Sequence, residues 1–288
     1  MNTAMNTVNQ TFNWSRFTAA LRKEVVENSR PILFGLLGMY VLLAIIMIFG
    51  NVTSALSGVV GVEMETYVPQ KIVLFVLGIF VCVAASITFS KLKTKTGRID
   101  LFTSPSSTFE KFLVNVLIYV VGAIVVFFIC AQLADLTRYV ALLFFKDEAF
   151  EVPGLINFLN LIPKAVDGFT NSVPVNLAMK WIVPIGLVAS AGMYCLGSVI
   201  WPRLSFLKTL AAVYVLEAII GIIGIILAFS FLNEGNYEAF GLWFLKQLEN
   251  GNFSSFLIVL NVVQVVLYWC LSWYLFKRKD IISLKWWK

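Results

Sequence analysis

Six stretches of the chain are apolar at nearly every position, approximately 31–50, 72–90, 112–133, 178–200, 207–232 and 256–276. Roughly 20 helical residues at about 1.5 Å each cover about 30 Å of hydrocarbon, so every stretch is long enough to cross a bilayer. A backbone in lipid must satisfy its own polar groups, and a single apolar run does so as a helix. The pattern predicts an all-α integral membrane protein with six transmembrane helices over 31–288. The preceding segment, 1–30, is polar and reads differently. Within it Trp14, Phe17, Leu21 and Val25 recur three and four apart, with Arg16, Arg22, Lys23, Glu24 and Glu27 on other faces. That spacing predicts an amphipathic helix over 13–28 lying in the membrane interface. Arg30-Pro31 is expected to break it and start the first span, because proline disfavours helix at the residue before it.

Composition reinforces this reading. The 288 residues are 59% hydrophobic and 13% charged, with a mean hydropathy of +0.86. Twenty-five Phe, eight Trp and nine Tyr suit a wide lipid-facing surface with interfacial belts, and 18 Gly suit close helix packing. Cys82, Cys130, Cys195 and Cys270 all fall in apolar runs, where they act as small hydrophobes. With no histidine, His-based zinc sites, Ser-His and Cys-His nucleophilic systems and His-ligated haem are excluded. No metal, cofactor or catalytic residue is assigned, and the first thirty residues read as mature sequence rather than a secretory signal.

Charge gives the spans a direction, since Lys and Arg near span ends stay in the cytoplasm. With the N-terminus inside, 16 of the 22 Lys and Arg fall in cytoplasmic segments, among them Lys91, Lys93, Lys95, Arg98 and Lys111. The outer segments hold Lys71, Arg138, Lys146, Lys164, Lys180 and Lys246 beside ten of the 16 acidic residues. Both termini are therefore expected in the cytoplasm. Attraction of these basic flanks to anionic headgroups accounts for the net charge of +6 without a nucleic-acid partner. The outer loop 134–177 carries short apolar runs at 139–145 and 155–162, placed at the outer interface.

The loop between the second and third spans, Lys91 to Phe112, has a basic half, an apolar patch at Ile99, Leu101 and Phe102, and a helix start. Ser107 and Glu110 have capping-box spacing, while Ser104-Pro105 offers a competing start. Two readings remain open: a segment that docks into a partner's groove, or a solvated turn whose lysines enforce topology. The run Ile99-Asp100-Leu101-Phe102-Thr103-Ser104-Pro105-Ser106-Ser107-Thr108-Phe109-Glu110-Lys111-Phe112 after a basic stretch resembles bacterial permeases of the type-2 ATP-binding-cassette exporters. In that family an amphipathic helix precedes six spans and the loop after span two couples to the ATPase. The resemblance implies a bacterial inner-membrane permease in which Arg98, Ile99, Asp100, Leu101 and Phe102 contact a separate cytoplasmic ATPase, paired with a second permease copy or a related one. It covers the chain in layout and this loop in residue pattern; the outer loop 134–177 is longer than the family usually carries. The apolar segment Tyr237 to Leu248 matches the family's short outer re-entrant helices. The chain has no G-x-x-x-x-G-K-[ST] phosphate loop, so ATP hydrolysis is expected in a partner.

Glu217 is the one acidic residue predicted inside a span, about nine residues or roughly 14 Å from its cytoplasmic end. Such a carboxylate costs about 2.5–3.5 kcal/mol on insertion scales and should face helices or water. It reads either as a substrate or cation contact, or as a neutral carboxyl bonded to Asn261 or Gln264, which lie three apart on the last span. Asn115 and Gln132 are expected to bond across helices, Pro184 to bend span four, and Gly186 with Ser190, and Gly221 with Gly224, to allow close helix approach. The aromatic tail Leu284 to Lys288 is expected at the headgroups. The expected function is the membrane subunit of an ATP-driven exporter. The rival is a non-transporting scaffold or protective protein that binds through loop 134–177.

Overall fold

The computed structural model describes residues 12–57, 62–144, 154–156, 181–231 and 252–279, and they are helical with no strand among them. Helix α1 (Trp14–Glu27) starts where the Asn13 side chain accepts from the Ser15 N–H at 2.9 Å and ends at Asn28. The break before the first span falls at Asn28, and α2 (Ser29–Ser57) already contains Arg30 and Pro31. Proline in the first turn of a helix lacks only an N–H that would have no helical partner, so it starts α2 without interrupting it. Helix α3 (Val62–Ile87) leads through a 3₁₀ turn, Ser90–Lys93, into the short helix α4 (Lys95–Thr103).

Helix α5 (Thr108–Val116) opens on a full capping box, with the Ser107 hydroxyl accepting from the Glu110 N–H and the Glu110 carboxylate accepting from the Ser107 N–H. Of the two expected starts this one is realised, and Ser104 ends α4 instead. A π-helical turn, Leu117–Gly122, joins α5 to α6 (Ala123–Phe144), so the third span is one helix of 37 residues. The expected end at Leu133 is thereby corrected. Asp135 and Arg138 sit three apart, fully buried and paired at 2.6 Å, and their mutual neutralisation lets the helix run through a polar stretch. Residues 139–144 thus belong to the span helix. Helices α7 (Ile182–Ile200), α8 (Ser205–Phe231) and α9 (Asn252–Lys277) follow. Pro184 lies in the first turn of α7, where it needs no bend, contrary to expectation.

Among the described residues, five helices are long and apolar enough to cross a membrane, at Ser29–Phe49, Thr108–Phe144, Ile182–Ile200, Ser205–Gly224 and Ser255–Lys277; α3 has a shorter apolar stretch, Ile72–Ile87. The described helices are those of a multi-pass membrane protein. The segments at 157–177, 237–248 and 284–288 lie outside the described residues.

Helix α7 is the hub of one half, packing on α3, α8 and α9, while α2 packs on α6 and α3 in the other. Its buried face is Ala189, Ala191, Gly192, Tyr194, Cys195, Gly197, Ser198 and Val199, mostly small residues that let neighbours approach. The close approaches are at Gly192, which faces the Trp269 indole, and at Gly197, which faces Thr209. Trp269 Nε1 donates to the Val188 carbonyl at 3.3 Å, locking α9 to α7. The expected approach sites do not behave this way. Gly221 and Gly224 have open space around them, and Gly186 meets only Asn261 Oδ1 at 3.8 Å. Asn115 donates to its own helix at Lys111, so it does not bond across helices, and Gln132 is exposed.

A Cβ at 192 would lie 2.8 Å from Trp269 Nε1. Gly192→Val is therefore expected to destabilise the α7–α9 contact by about 1–3 kcal/mol, seen as a lower melting temperature in detergent, whereas Gly221→Val leaves it unchanged.

Candidate functional site

Where α3 ends, the chain must turn sharply before α5, and local capping shapes that turn. Thr94 Oγ1 accepts from the Gly97 N–H at 3.1 Å and starts α4. Gly97 is required there by close approach: a Cβ would lie 2.5 Å from the Lys91 carbonyl oxygen. All five residues expected to couple to an ATPase fall on α4. Leu101 is buried and the Phe102 ring lies 6.3 Å from Phe276, anchoring the helix inward. Ile99 is 50% exposed and faces away from the protein. Arg98 is half-buried, with Nε lacking a hydrogen-bond partner among the described residues.

Asp100 belongs to an ion network with α1. Lys91 Nζ lies 2.6 Å from Glu24, 3.0 Å from Glu27 and 3.4 Å from Asp100, and Lys23 Nζ lies 2.7 Å from Asp100. Burial lowers the Lys91 pKa, but hydrogen bonds to Glu24 and Glu27 outweigh it and hold the ammonium well above its usual range. The hydrogen bond from Lys23 holds Asp100 below the usual carboxylate range, against its partial burial, and the same bond raises Lys23. Glu110 is a second tie. It is fully buried and accepts from the Asn13 N–H at 2.6 Å, the Ser107 N–H at 2.7 Å and Arg16 at 3.2 Å. One carboxylate thus caps α5 and seats the start of α1. Between α1, α4 and α5 remains a cavity of about 210 Å³.

The aromatic cluster beneath α4 joins it to the spans. Phe276 at the end of α9 sits 4.7 Å from Phe89, 5.7 Å from Phe112 and within reach of Phe102, and Trp273 packs edge-on against Phe112 at 5.3 Å. Phe102 and Leu101 of α4 thus share one apolar cluster with Phe89 just beyond α3, Phe112 of α5 and Phe276 of α9. Sequence reasoning missed Glu24, Glu110 as a tie to α1, and Phe276. The available signal was the pair Glu24 and Glu27 on the predicted amphipathic helix facing a lysine-rich loop.

Within the membrane, Glu217, Asn261 and Gln264 line one cavity of about 410 Å³ between α7, α8 and α9. The expected bond from Glu217 to Asn261 or Gln264 is not formed. Asn261 Nδ2 donates to its own helix at Leu257 at 2.9 Å, and the Glu217 carboxyl is exposed to the groove. At the far end of the third span, Arg138 Nη2 donates to the Gly154 carbonyl at 2.8 Å, and Asp135 accepts from the Ile156 N–H at 2.7 Å. This pair ties 154–156 to α6; Glu110 and Asp135 both lie in the apolar helix Thr108–Phe144, so Glu217 is not the one acidic residue of such helices, contrary to expectation.

Comparison with family models, curated proteins and solved structures finds no match for this chain.

Lys91→Met leaves buried Glu24 without its cation and is expected to cost about 1–3 kcal/mol, with faster amide exchange in α1 and α4. Gly97→Val should loosen the same turn. Because the Asp100 pKa is depressed, its contribution is complete above the usual carboxylate pKa of 3.8 and is lost as pH falls through the lower folded value. Exchange in α4 should therefore rise on acidification below about pH 4, less so in Asp100→Asn.

Proposed function

We propose that the chain is the membrane subunit of an ATP-driven exporter of the type-2 ATP-binding-cassette kind, working with a separate cytoplasmic ATPase. The observation that carries this reading is α4, a short helix after the second expected span that is braced on α1 by Lys23 and Lys91 and on the span ends by Phe102 and Leu101, with Ile99 left outward. A solvated turn that merely retained lysines would need neither the buried anchors nor the cap at Thr94. A helix built this way can receive force at Ile99 and Arg98 and deliver it through Phe276 to three spans. In this reading six spans cross a bacterial inner membrane with both termini cytoplasmic. α4 then lies on the ATPase side, and a second permease copy or a related one completes the pathway. The polar groove around Glu217 serves the transported molecule. Since the ATPase is a separate chain, this subunit needs no cofactor of its own.

Affinity purification of the intact chain in mild detergent should recover a cytoplasmic ATPase. Ile99→Glu should reduce ATPase recovery at least tenfold while the protein elutes and melts as the parent does. Recovery of no ATPase, or undiminished recovery with Ile99→Glu and with residues 96–103 deleted, would overturn the proposal.

A further inference from the structure

The groove around Glu217 has a shape and a chemistry that together define what it can hold. Helices α8 and α9 each pack on α7 rather than on one another, so the groove between them opens sideways toward lipid. Its walls are apolar, formed by Met193, Leu196, Val213, Leu216 and Ile220. Its polar side chains are Glu217, Asn261, Gln264, Ser190, Thr209 and Tyr268, and Glu217 carries the one formal charge among the lining residues. The Glu217 carboxyl makes no hydrogen bond or ion pair among the described residues, and the Asn261 amide spends an N–H on Leu257, leaving its Oδ1 beside Gly186. Thr209 also lines the groove, with its buried Oγ1 packed against Gly197 of α7.

A carboxylate at this depth calls for a cation, and the described residues around it supply none. In the described part of the apolar helices no Lys or Arg lies at the depth of Glu217, and Arg138, near the end of α6, is consumed by Asp135. A second copy of the chain brings the same helices and hence no cation either. A bare metal ion is also a poor match, because a cavity of about 410 Å³ with few oxygens cannot enclose an ion that takes six to eight oxygen ligands.

We infer that the groove between α7, α8 and α9 binds a cationic amphiphile, its ammonium head held by Glu217 with Asn261 and its alkyl chain lying along Leu216 and Ile220. A charged head paired there removes the penalty of an isolated carboxylate in the membrane, and lateral entry lets the tail arrive from lipid without crossing water. This names the substrate class of the proposed export groove and rests on that reading only for its physiological role, since binding needs no ATPase.

The test uses the intact chain in nanodiscs of zwitterionic lipid, with dodecylamine as probe and dodecanoate as control at pH 7. Saturable dodecylamine binding, weakened at least tenfold in Glu217→Gln and abolished in Leu216→Trp, which fills the groove but keeps the carboxyl, supports the assignment. Equal binding by the parent and both variants, preference for dodecanoate, or no binding overturns it. So does efficient disulfide capture of a second copy through Ile220→Cys with probe binding absent, which would make the groove a subunit interface. Failure here leaves ATPase recovery unaffected, so the exporter reading is judged separately.

Discussion

The ammonium of Lys91 gathers Glu24 and Glu27 from α1 and Asp100 from α4, and the arrangement of this end of the molecule follows from that convergence. A lysine just past the apolar helix α3 has strong reason to remain near water or a counter-charge, and carboxylates on the amphipathic helix α1 have the same reason. Joining them costs less than burying either alone, because each neutralises the other in a setting of reduced dielectric. Glu110 makes a parallel tie one turn into the third span, taking two backbone N–H groups and Arg16. With both ties in place α1 cannot slide along the surface without moving α4 and α5.

Rigidity at that end contrasts with openness deeper in the membrane. The aromatic cluster around Phe276 couples α4 to α3, α5 and α9, whereas α8 is exposed along most of its length and packs chiefly against α7. Small residues on α7 explain the hub: Gly192 admits Trp269, and Gly197 admits Thr209. The protein thus has one end braced by charge pairs and aromatic packing and one helix held chiefly by α7. The π-helical turn at Leu117–Gly122 lies between them on the third span, a place where one extra residue per turn eases a local change of register.

The sequence by itself determined what depends on local pattern. Apolar runs located the five helices long and apolar enough to cross a membrane, the three-and-four spacing of Trp14, Phe17, Leu21 and Val25 located α1, and Ser107 with Glu110 marked the start of α5. These are readable because hydrophobic length and capping act between residues close in the chain. Where two local signals competed, as at Ser104-Pro105 against Ser107, only the folded context chose. Only the tertiary structure decided that Asp135 and Arg138 continue a helix, that Gly192 and Gly197 rather than Gly186 or Gly221 are the contact points, and that Glu24 is buried under a lysine 67 residues away. Glu217, Asn261 and Gln264 were legible as unusual residues, but that they share a groove and leave one another unbonded depends on how α8 and α9 sit on α7. The Lys91–Glu24 pair and the close helix approaches join residues far apart in the chain, so no periodicity encodes them, and even the neighbours Asp135 and Arg138 are buried as a pair only once the helices are packed.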